Sequence, residues 1–448
     1  MFKTQISQLA QNKSFKKYFS NTSWLLGGKI LQMAITFLVT ASVGRELGPE
    51  FFGSLSYARG IVVFMMVFVA MGMSGINVRN LVQRPEEKGK ILGTAIGIRL
   101  SMAFFMGLIF LLTIPMLKHH TPIENTLILI MLGVGLFRPF YAFDDFFQSE
   151  IKSKYSVLAR STAAFSFAGI QVFLLSIGAP IIWHGVAFLV RHVIETAGYL
   201  IMHIKHYGWP SLSFSKEYAK EVLRETWPMI FSNAVVFIYM KADQFMIRGM
   251  LGRYEIGQYS AALRLSEAWF ILGPILSSSL FPAIIKAKKK SAKNYVKNLQ
   301  RYFDIMAIMG ICIAIPVALL GPQVLQWDIL FGKDYSDAGQ VLMVHVWTLS
   351  FVYLGNAGTK YLILESLQKL AMYRSILGAI LNILLNLYMI PRWGIMGAAY
   401  ATLISQAFAS YFAYAFSPKT KVLFGMMTKS LFLISPIQQL KSIIAKRA

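Results

Sequence analysis

Apolar runs long enough to cross a bilayer recur along the whole chain, and this feature restricts the fold more than any other. Short polar segments separate twelve such runs. The runs lie at roughly residues 21–43, 55–78, 91–117, 124–143, 156–178, 180–203, 226–248, 257–284, 302–321, 338–363, 371–390 and 394–416. A helix of about 20 residues spans a hydrocarbon core of about 30 Å. The pattern therefore predicts an all-α polytopic membrane protein with twelve transmembrane helices.

The basic residues concentrate in alternate connections between these runs, which sets the expected orientation. A net charge of +24 could indicate nucleic-acid binding, but the charges are spread over loops, and no nucleic-acid partner is expected. With a cytoplasmic N-terminus, the inner loops hold most of the lysines. The outer loops then hold only Arg45, Lys118, Arg248, Arg253, Lys333 and Arg392. Because positive loops stay in the cytoplasm, both termini are expected there.

A polar connector at residues 205–225 divides the runs into two groups of six. It separates a predicted N-terminal lobe (1–204) from a C-terminal lobe (226–417), and a basic amphipathic tail (418–448) follows. Ser215 is the expected N-cap of a surface helix within the connector. Trp227-Pro228 predicts the start of the seventh transmembrane helix. The tail is expected to lie at the membrane interface.

The two halves carry a related pattern at their first outer turn. Five positions match at a constant offset of 204 residues: Leu47, Gly48, Gly53, Ser56 and Ala58 with Leu251, Gly252, Gly257, Ser260 and Ala262. Because each half has six spans, the copies share one orientation. They are expected to be related by a pseudo-twofold axis along the membrane normal, with two lobes flanking a cavity.

Charged side chains inside the runs are the candidate functional groups. The cations are Lys29, Arg59, Arg99, Arg138, Arg160, Arg191, Lys241, Arg264 and Lys360, and the acidic counterparts are Glu195, Asp243, Glu267 and Asp304. Each would cost about 3 kcal/mol if it faced lipid, so most must be paired, snorkelling or in water. Two structural pairs are open alternatives, Arg191 with Glu195 and Arg264 with Glu267. Arg59 and Arg160 could instead snorkel.

The cations outnumber the anions, which favours an electropositive cavity for an anionic ligand. No phosphate-binding glycine loop with a lysine and no nucleophile elbow is present, so no enzyme activity and no cofactor are predicted. The single cysteine, Cys312, excludes an intrachain disulfide and is expected in the core. Energy must come from an ion gradient, the membrane potential or the substrate's own gradient.

Several segments resemble the bacterial polysaccharide flippases of O-antigen type, which belong to the multidrug/oligosaccharidyl-lipid/polysaccharide exporter superfamily. The segments that carry the resemblance are Trp227-Pro228, Lys241-Ala242-Asp243-Gln244, Gly257-Gln258-Tyr259-Ser260-Ala261-Ala262 and Pro391-Arg392-Trp393-Gly394-Ile395-Met396-Gly397-Ala398-Ala399. The resemblance implies an alternating-access transporter in the bacterial inner membrane that moves undecaprenyl-pyrophosphate-linked oligosaccharide to the periplasmic leaflet. It also implies membrane lipids, polysaccharide polymerase and chain-length proteins as partners.

The resemblance further implies two sites. Lys29, Arg59 and Arg264 are the expected pyrophosphate ligands, with Arg99, Arg138, Arg191 and Lys241 as weaker candidates. Asp243, Asn382, Asn386, Thr402 and the carbonyl of Ala398 resemble the sodium site of lipid II flippases, although that branch has a second carboxylate at the position of Asn386. Five oxygen ligands suit a hard cation. Asp243 could instead pair with a cation from another span or carry a proton, and the asparagines could serve only to hold helices together.

Two rival functions stay open. A cation-coupled multidrug exporter of the same superfamily handles cationic drugs, for which a cavity rich in lysine and arginine has the wrong sign. A membrane polysaccharide polymerase or ligase would be expected to have a large outer loop, whereas the outer turns here, such as residues 249–257, are short.

Overall fold

The structure is a computed structural model that describes residues 13–114 and 120–438. Every regular element within these residues is helical, so the predicted all-α class is confirmed. Contacts divide the chain into two compact units. The first unit comprises Met1–Leu47 and Ser54–Phe237, and the second comprises Gly48–Gly53 and Ile238–Ala448.

The first unit is built from eight α-helices and the beginning of a ninth. They are α1 (Lys13–Ala70), α2 (Ser74–Gln83), α3 (Lys88–Thr113), α4 (Pro122–Leu132), α5 (Val134–Phe137), α6 (Ala142–Ser149), α7 (Lys154–Ser176), α8 (Ile181–Tyr207) and α9 (Lys216–Met250). Short 3-10 turns at Pro85–Glu87 and Arg138–Tyr141 lie between them. Phe143, Phe146 and Phe147 of α6 are fully buried in the core of this unit.

The second unit contains the end of α9 and seven further helices. They are α10 (Arg253–Glu267), α11 (Leu272–Lys290), α12 (Ala292–Leu325), α13 (Ser336–His345), α14 (Thr348–Leu364), α15 (Gln368–Ser410) and α16 (Lys421–Leu431). Turns of 3-10 type lie at Ala268–Ile271, Lys333–Tyr335 and Phe412–Phe416. Its core includes the fully buried side chains of Phe303 and Tyr353.

Eight helical stretches in the described residues are long and apolar enough to cross a membrane, and α13 with α14, bent by 41°, would make nine. The chain is therefore a multi-pass membrane protein. Two of the eight stretches contain a break in the helical backbone. Gly48 interrupts α1 with a φ of 72°, and Trp393 and Gly394 interrupt α15, where Gly394 has a φ of 57°. Only glycine adopts positive φ without strain, so it marks both breaks.

The two turns of the predicted repeat resemble each other in the structure. Gly252 has a φ of 123°, positive like that of Gly48. A Cβ on Gly53 would lie 2.0 Å from the carbonyl oxygen of Arg253, and one on Gly257 would lie 1.9 Å from that of Pro49. Pro49 and Arg253 are themselves 204 residues apart, so the contact is reciprocal. A side chain at either glycine would push the two backbones apart.

The connector differs from its prediction in one respect. Ser215 Oγ accepts a hydrogen bond from the backbone N–H of Tyr218 at 3.2 Å, so the predicted N-cap is confirmed. The helix that begins there is α9, however, which continues through Trp227-Pro228, and the predicted helix start at this dipeptide is wrong. The buried face formed by Tyr218 and Val222 stabilises the earlier start.

The division between the compact units falls inside α9, at Phe237 and Ile238, rather than in the connector. The lobes at 1–204 and 226–417 remain a prediction. Part of the tail at 418–448 is α16, whose Leu423 and Met427 are buried in the second unit. Residues 439–448 of the tail lie outside the described residues. Cys312 is exposed on α12 rather than buried in the core, because it lines an open groove with Leu433 and Ile437.

Candidate functional site

Buried ion pairs occupy the centre of the first unit. Arg99 of α3 donates to Asp145 of α6 at 3.0 Å, and both side chains are only 3% exposed. Asp145 also accepts from Asn77 at 3.0 Å, and Arg99 donates to Ser74 at 3.3 Å. A buried charge is tolerated only when it is paired and hydrogen-bonded, and this pair meets both conditions. Arg99 was a weaker pyrophosphate candidate, and its charge is already compensated.

Arg160 of α7 is paired in the same region. Its guanidinium contacts Asp144, and its Nε lies 3.8 Å from Glu195 of α8. Tyr199 accepts from Arg160 at 2.8 Å and donates to Glu195 at 2.9 Å. Arg160 therefore does not snorkel alone, because two carboxylates from neighbouring helices reach it. Glu195, expected beside Arg191, is held by Arg160 and Tyr199 instead.

Arg138 and Arg191 differ from these paired arginines. Neither forms an ion pair with a carboxylate of the described residues. The guanidinium of Arg138 lies 4.5 Å from the ring centre of Tyr141, and that of Arg191 lies 5.4 Å from the ring centre of Phe167. Arg191 also donates to Thr36 at 3.4 Å. Aromatic faces stabilise a cation without neutralising it, so both positive charges persist.

His192 links the arginines of this region. It lies within electrostatic range of Arg138, Arg191 and Arg59, and its Nδ1 is 2.9 Å from the hydroxyl of Tyr141. Arg59 itself lies over the ring of Phe188 at 5.0 Å. Lys29, by contrast, is exposed on α1. The structure therefore brings three of the predicted cations to one histidine, and Lys29 is not shown beside them.

Six charged side chains of the first unit line a cavity of about 260 Å³ together with apolar residues of α1. They are hereafter the N cluster: Arg99, Arg138, Asp144, Asp145, Arg160 and Glu195. Three guanidinium groups and three carboxylates thus meet at one cavity. The helices α3, α6, α7 and α8 and the 3-10 turn at Arg138–Tyr141 supply them.

A second polar group, in the second unit, surrounds Asp243. This carboxylate is 3% exposed and accepts from Tyr259 at 2.5 Å and from the backbone N–H of Gln244 at 2.8 Å. Thr402 of α15 donates to the same carboxylate at 3.5 Å. This group is hereafter the C cluster, and its members are Asp243, Tyr259, Asn382, Asn386 and Thr402.

The two asparagines of α15 complete the C cluster. Asn382 donates to Thr402 at 3.4 Å and to Ser405 at 3.1 Å, and Asn386 donates to Asn382 at 3.0 Å. The side-chain oxygen of Asn386 is buried and accepts no hydrogen bond from a described residue. Ala398, the predicted carbonyl ligand, is fully buried on the same helix. The structure therefore places four predicted ligand side chains in one connected network.

Lys241 and Arg264 lie elsewhere in the second unit. Lys241 donates to both carboxylate oxygens of Glu267 at 3.1 Å, so its charge is compensated. A pair of Glu267 with Arg264 was the open alternative, but it is Lys241 that forms the ion pair with Glu267. Arg264 is half-buried and forms no ion pair or hydrogen bond with the described residues, although Glu267 acts on it electrostatically.

Comparison with known proteins identifies the family. Residues 19–288 match the family described as polysaccharide biosynthesis protein, and residues 228–388 match the MatE family. The first match covers more than half of the chain. The chain belongs to the polysaccharide biosynthesis protein family. It is a membrane flippase, as the resemblance predicted.

Relatives and solved structures of this flippase agree with that assignment. It is 21% identical to a protein named as an O-antigen transporter in Shigella dysenteriae, over 83% of this chain and 92% of the relative. It is 20% identical to the capsular polysaccharide biosynthesis protein CapF of Staphylococcus aureus, over 88% and 98%.

Two solved structures share the fold of this flippase. The lipid II flippase MurJ in an inward closed conformation aligns with a TM-score of 0.70 and 16% identity, over 94% of this chain and 93% of the other. An inward-facing multidrug resistance MATE family transporter aligns with a TM-score of 0.69 and 14% identity, over 92% and 96%.

The sequence did not single out three side chains of this flippase that complete its sites. Asp144 and Asp145 lie just beyond the predicted fourth run, which ended at residue 143, and were taken as part of a loop. The adjacent carboxylates sit between Phe143 and Phe146-Phe147, and this apolar setting was the available signal. Tyr259 lies in a segment that carried the resemblance, but nothing in its spacing indicated the bond to Asp243.

Proposed function

We infer that this flippase moves undecaprenyl-pyrophosphate-linked oligosaccharide, of O-antigen or similar type, from the cytoplasmic to the periplasmic leaflet by alternating access. The names of its relatives support an oligosaccharide substrate. The observation that carries the proposal is that Arg138 and Arg191 keep their positive charges, whereas Arg99 and Arg160 are paired with carboxylates.

Those retained charges favour an anionic ligand. Burying an arginine without an ion pair is costly unless a ligand or water compensates its charge. A pyrophosphate supplies several acceptor oxygens, and guanidinium groups bind such oxygens in pairs. Arg59 lies close enough to the shared neighbour His192 to act on it together with these two arginines, and it extends the positive region. Lys29 and Arg264 are proposed as further pyrophosphate ligands on the resemblance alone.

The proposed topology has twelve spans in a bacterial inner membrane. Both termini lie on its cytoplasmic side. Splitting the first and last apolar stretches at Gly48 and Trp393-Gly394 adds two spans to the eight. The bent pair α13–α14 adds one, and the apolar part of α9 adds the last. The basic loops that predict the orientation all lie on one side of such a topology.

The C cluster is proposed to bind the coupling cation, which this flippase would carry as cargo. The residues present fit Na⁺, since one carboxylate, two amide oxygens and a hydroxyl are oxygen donors. The unpaired oxygen of Asn386 is an acceptor that an ion would satisfy. Transport of H⁺ on Asp243 is the alternative, and no resident cofactor is proposed.

The rival function is export of cationic drugs. The MatE match and the MATE-like fold are consistent with it. Retained arginine charges in the first unit disfavour a cationic substrate. Reconstituted flippase should move a fluorescent lipid-linked oligosaccharide between leaflets and should not transport a lipophilic cationic dye. Uptake of the dye with no movement of the glycan would reverse the choice between the two functions.

Arg264→Ala should abolish glycan flipping because the variant removes a half-buried guanidinium from the proposed pyrophosphate site. Arg138→Ala is expected to reduce flipping by about tenfold or more, since it removes one charge-assisted contact. The measurement is leaflet exchange in proteoliposomes at equal protein content. Lys369→Ala, which removes an exposed cation from the first turn of α15, is the control and should flip normally. Normal flipping by Arg264→Ala would exclude it from the site.

A further inference from the structure

The connection between α11 and α12 is strongly basic. Residues 286–301, hereafter the basic hairpin, contain six lysines and one arginine and no acidic residue. All seven cations are exposed. Glu365, at the end of α14, compensates only Lys288, whose Nζ lies 2.9 Å from it. The other six cations form no ion pair and no side-chain hydrogen bond with the described residues.

Helix geometry accounts for some of these cations and not for others. The lysines at 288–290 lie in the last turn of α11, where the helix dipole favours positive charge. Lys293, Lys297 and Arg301, hereafter the basic stripe, lie four residues apart on one face of α12. Like charges at this spacing destabilise a helix. Asp304 does not pair with Arg301, because its buried carboxylate accepts from three other side chains. The basic stripe therefore favours an anionic partner.

The beginning of α9 provides a comparison within the same chain. It carries three exposed cations of the same residue types at the same spacing, hereafter the α9 stripe: Lys216, Lys220 and Arg224. A glutamate follows each of them directly in the sequence, at positions 217, 221 and 225. Both stripes belong to inner connections of the proposed topology. Orientation in the membrane therefore does not explain why the basic stripe lacks acidic neighbours of this kind.

Beyond Arg301, the same face of α12 becomes apolar. Ile308 and Cys312 are exposed on it and line an apolar groove of about 210 Å³ together with Leu433 and Ile437. At 1.5 Å per residue, Ile308 lies about 10 Å and Cys312 about 16 Å from Arg301 along the helix axis. A phospholipid has the same arrangement, since its acyl chains extend about 15 Å from the headgroup, half the hydrocarbon core.

We propose that the basic stripe and this groove bind an anionic phospholipid of the cytoplasmic leaflet, with its phosphate on the stripe and an acyl chain in the groove. The inference rests on the topology of the proposed function and adds a lipid site to it. An anionic headgroup is favoured over a zwitterionic one, because only a net negative charge relieves the repulsion within the stripe. A lipid is favoured over an acidic protein, because the groove continues the stripe toward the hydrocarbon core.

The test uses phosphatidylglycerol and phosphatidylcholine that carry the same photoreactive acyl chain. Each is added at low fraction to proteoliposomes of phosphatidylcholine that contain the full chain. Peptide mass spectrometry then measures cross-linking to the α12 peptide with Ile308 and Cys312. Phosphatidylglycerol should label this peptide at least about fivefold more than phosphatidylcholine, the factor expected for one lysine or arginine near an anionic lipid. High salt should lower this preference in the parent protein, because it screens the headgroup charge.

Two triple variants isolate the stripe. Replacing its three cations with glutamine should reduce the preference for phosphatidylglycerol by at least about fivefold. The same replacement in the α9 stripe removes an equal charge from the same side of the membrane and should keep the preference. The variants are K293Q/K297Q/R301Q and K216Q/K220Q/R224Q.

Several outcomes would overturn the lipid site. Equal cross-linking of the two lipids in the parent protein is one, and an equal loss of preference in both triple variants is another. If K293Q/K297Q/R301Q fails to insert, a parent preference that survives high salt would overturn it. Unlabelled polyprenyl pyrophosphate that competes better than unlabelled phosphatidylglycerol would assign the surface to the transported carrier instead.

The proposed function is tested separately, because cross-linking reports binding and not transport. A parent protein that prefers phosphatidylglycerol but flips no glycan would overturn the proposed function and leave the lipid site in place. A parent protein that flips the glycan without any lipid preference would do the reverse.

Discussion

Single side chains in this flippase divide into those whose charge is compensated and those whose charge is available. Arg99, Arg160 and Lys241 belong to the first group, because each contacts a carboxylate. Arg138 and Arg191 belong to the second. Charge removal within a pair leaves the partner buried and unpaired, so it reports on folding as well as on transport. Substitutions at the second group report on ligand binding more directly.

At the coupling site, Asp243→Asn should make flipping independent of sodium because it removes the only carboxylate of the C cluster. Asn386→Asp should lower the sodium concentration for half-maximal flipping by about tenfold, since cation affinity rises with the number of charged ligands. The measurement is flipping rate against sodium concentration at fixed pH. Asp337→Asn, an exposed carboxylate of α13, is the control. A parent protein that responds only to pH would identify a proton site.

The residue pattern predicted the C cluster better than the N cluster. Asn382 and Asn386 are four residues apart on one helix, so their shared face follows from helical spacing alone. The partners of Arg160 and Glu195 come from different helices, and spacing along one helix cannot reveal them. Asp144 was missed because an error of one residue at the end of a predicted helix moved it into a loop.

At the scale of elements, the connector is fastened to the first unit by ion pairs at its surface. Arg79 donates to Glu225 at 2.5 and 2.8 Å, and Arg84 donates to Glu221 at 2.9 and 3.3 Å. Asn80 of α2 adds a buried hydrogen bond to Tyr218 at 2.9 Å. These contacts hold the beginning of α9 against α2.

This fastening should depend on pH in a defined direction. The hydrogen bond from Arg79 lowers the pKa of Glu225. The pair is therefore complete above the ordinary glutamate pKa of about 4.3 and is lost only as the pH falls through the lower folded value. Hydrogen exchange of the connector should stay constant from neutral pH down to about 5, after correction for intrinsic rates, and rise only in more acidic solution.

A variant checks the same fastening at neutral pH. Glu225→Gln should raise connector exchange there, whereas Lys220→Gln, an exposed change on the same helix, should not. Equal exchange in the parent and Glu225→Gln would show that Asn80 and Tyr218 suffice. The sequence predicted the cap at Ser215 but not the ion pairs of the connector. Arg79 lies 146 residues from Glu225 along the chain, and Arg84 lies 137 residues from Glu221.

For the whole molecule, the all-α class and the positions of the apolar runs followed from composition and run length. The form of the breaks did not, because the sequence predicted loops there, whereas in the structure short non-helical breaks at Gly48 and Trp393-Gly394 join two helical stretches each. A turn that reverses the chain and a kink that redirects it contain the same glycine and proline residues.

The membrane potential should drive the proposed transport. A pyrophosphate carries roughly two negative charges, and each gains about 2.3 kcal/mol per 100 mV on moving to a positive outer face. Collapsing the potential at fixed pH and sodium should slow net export in proteoliposomes. A sugar-lipid without phosphate is the control substrate, whose exchange should not respond. An unchanged export rate would mean that charges of the protein move in compensation or that another driving force acts.

The reciprocal approach of Gly53 to Arg253 and of Gly257 to Pro49 has the form of an isologous contact, in which two identical surfaces meet across a twofold axis. Such a surface is complementary to itself at the two glycines, whereas the residues that face them, Pro49 and Arg253, differ. A contact of this form is found between the subunits of a twofold-symmetric homodimer. A duplicated chain that began from such a dimer would keep glycine at both positions for one and the same steric reason.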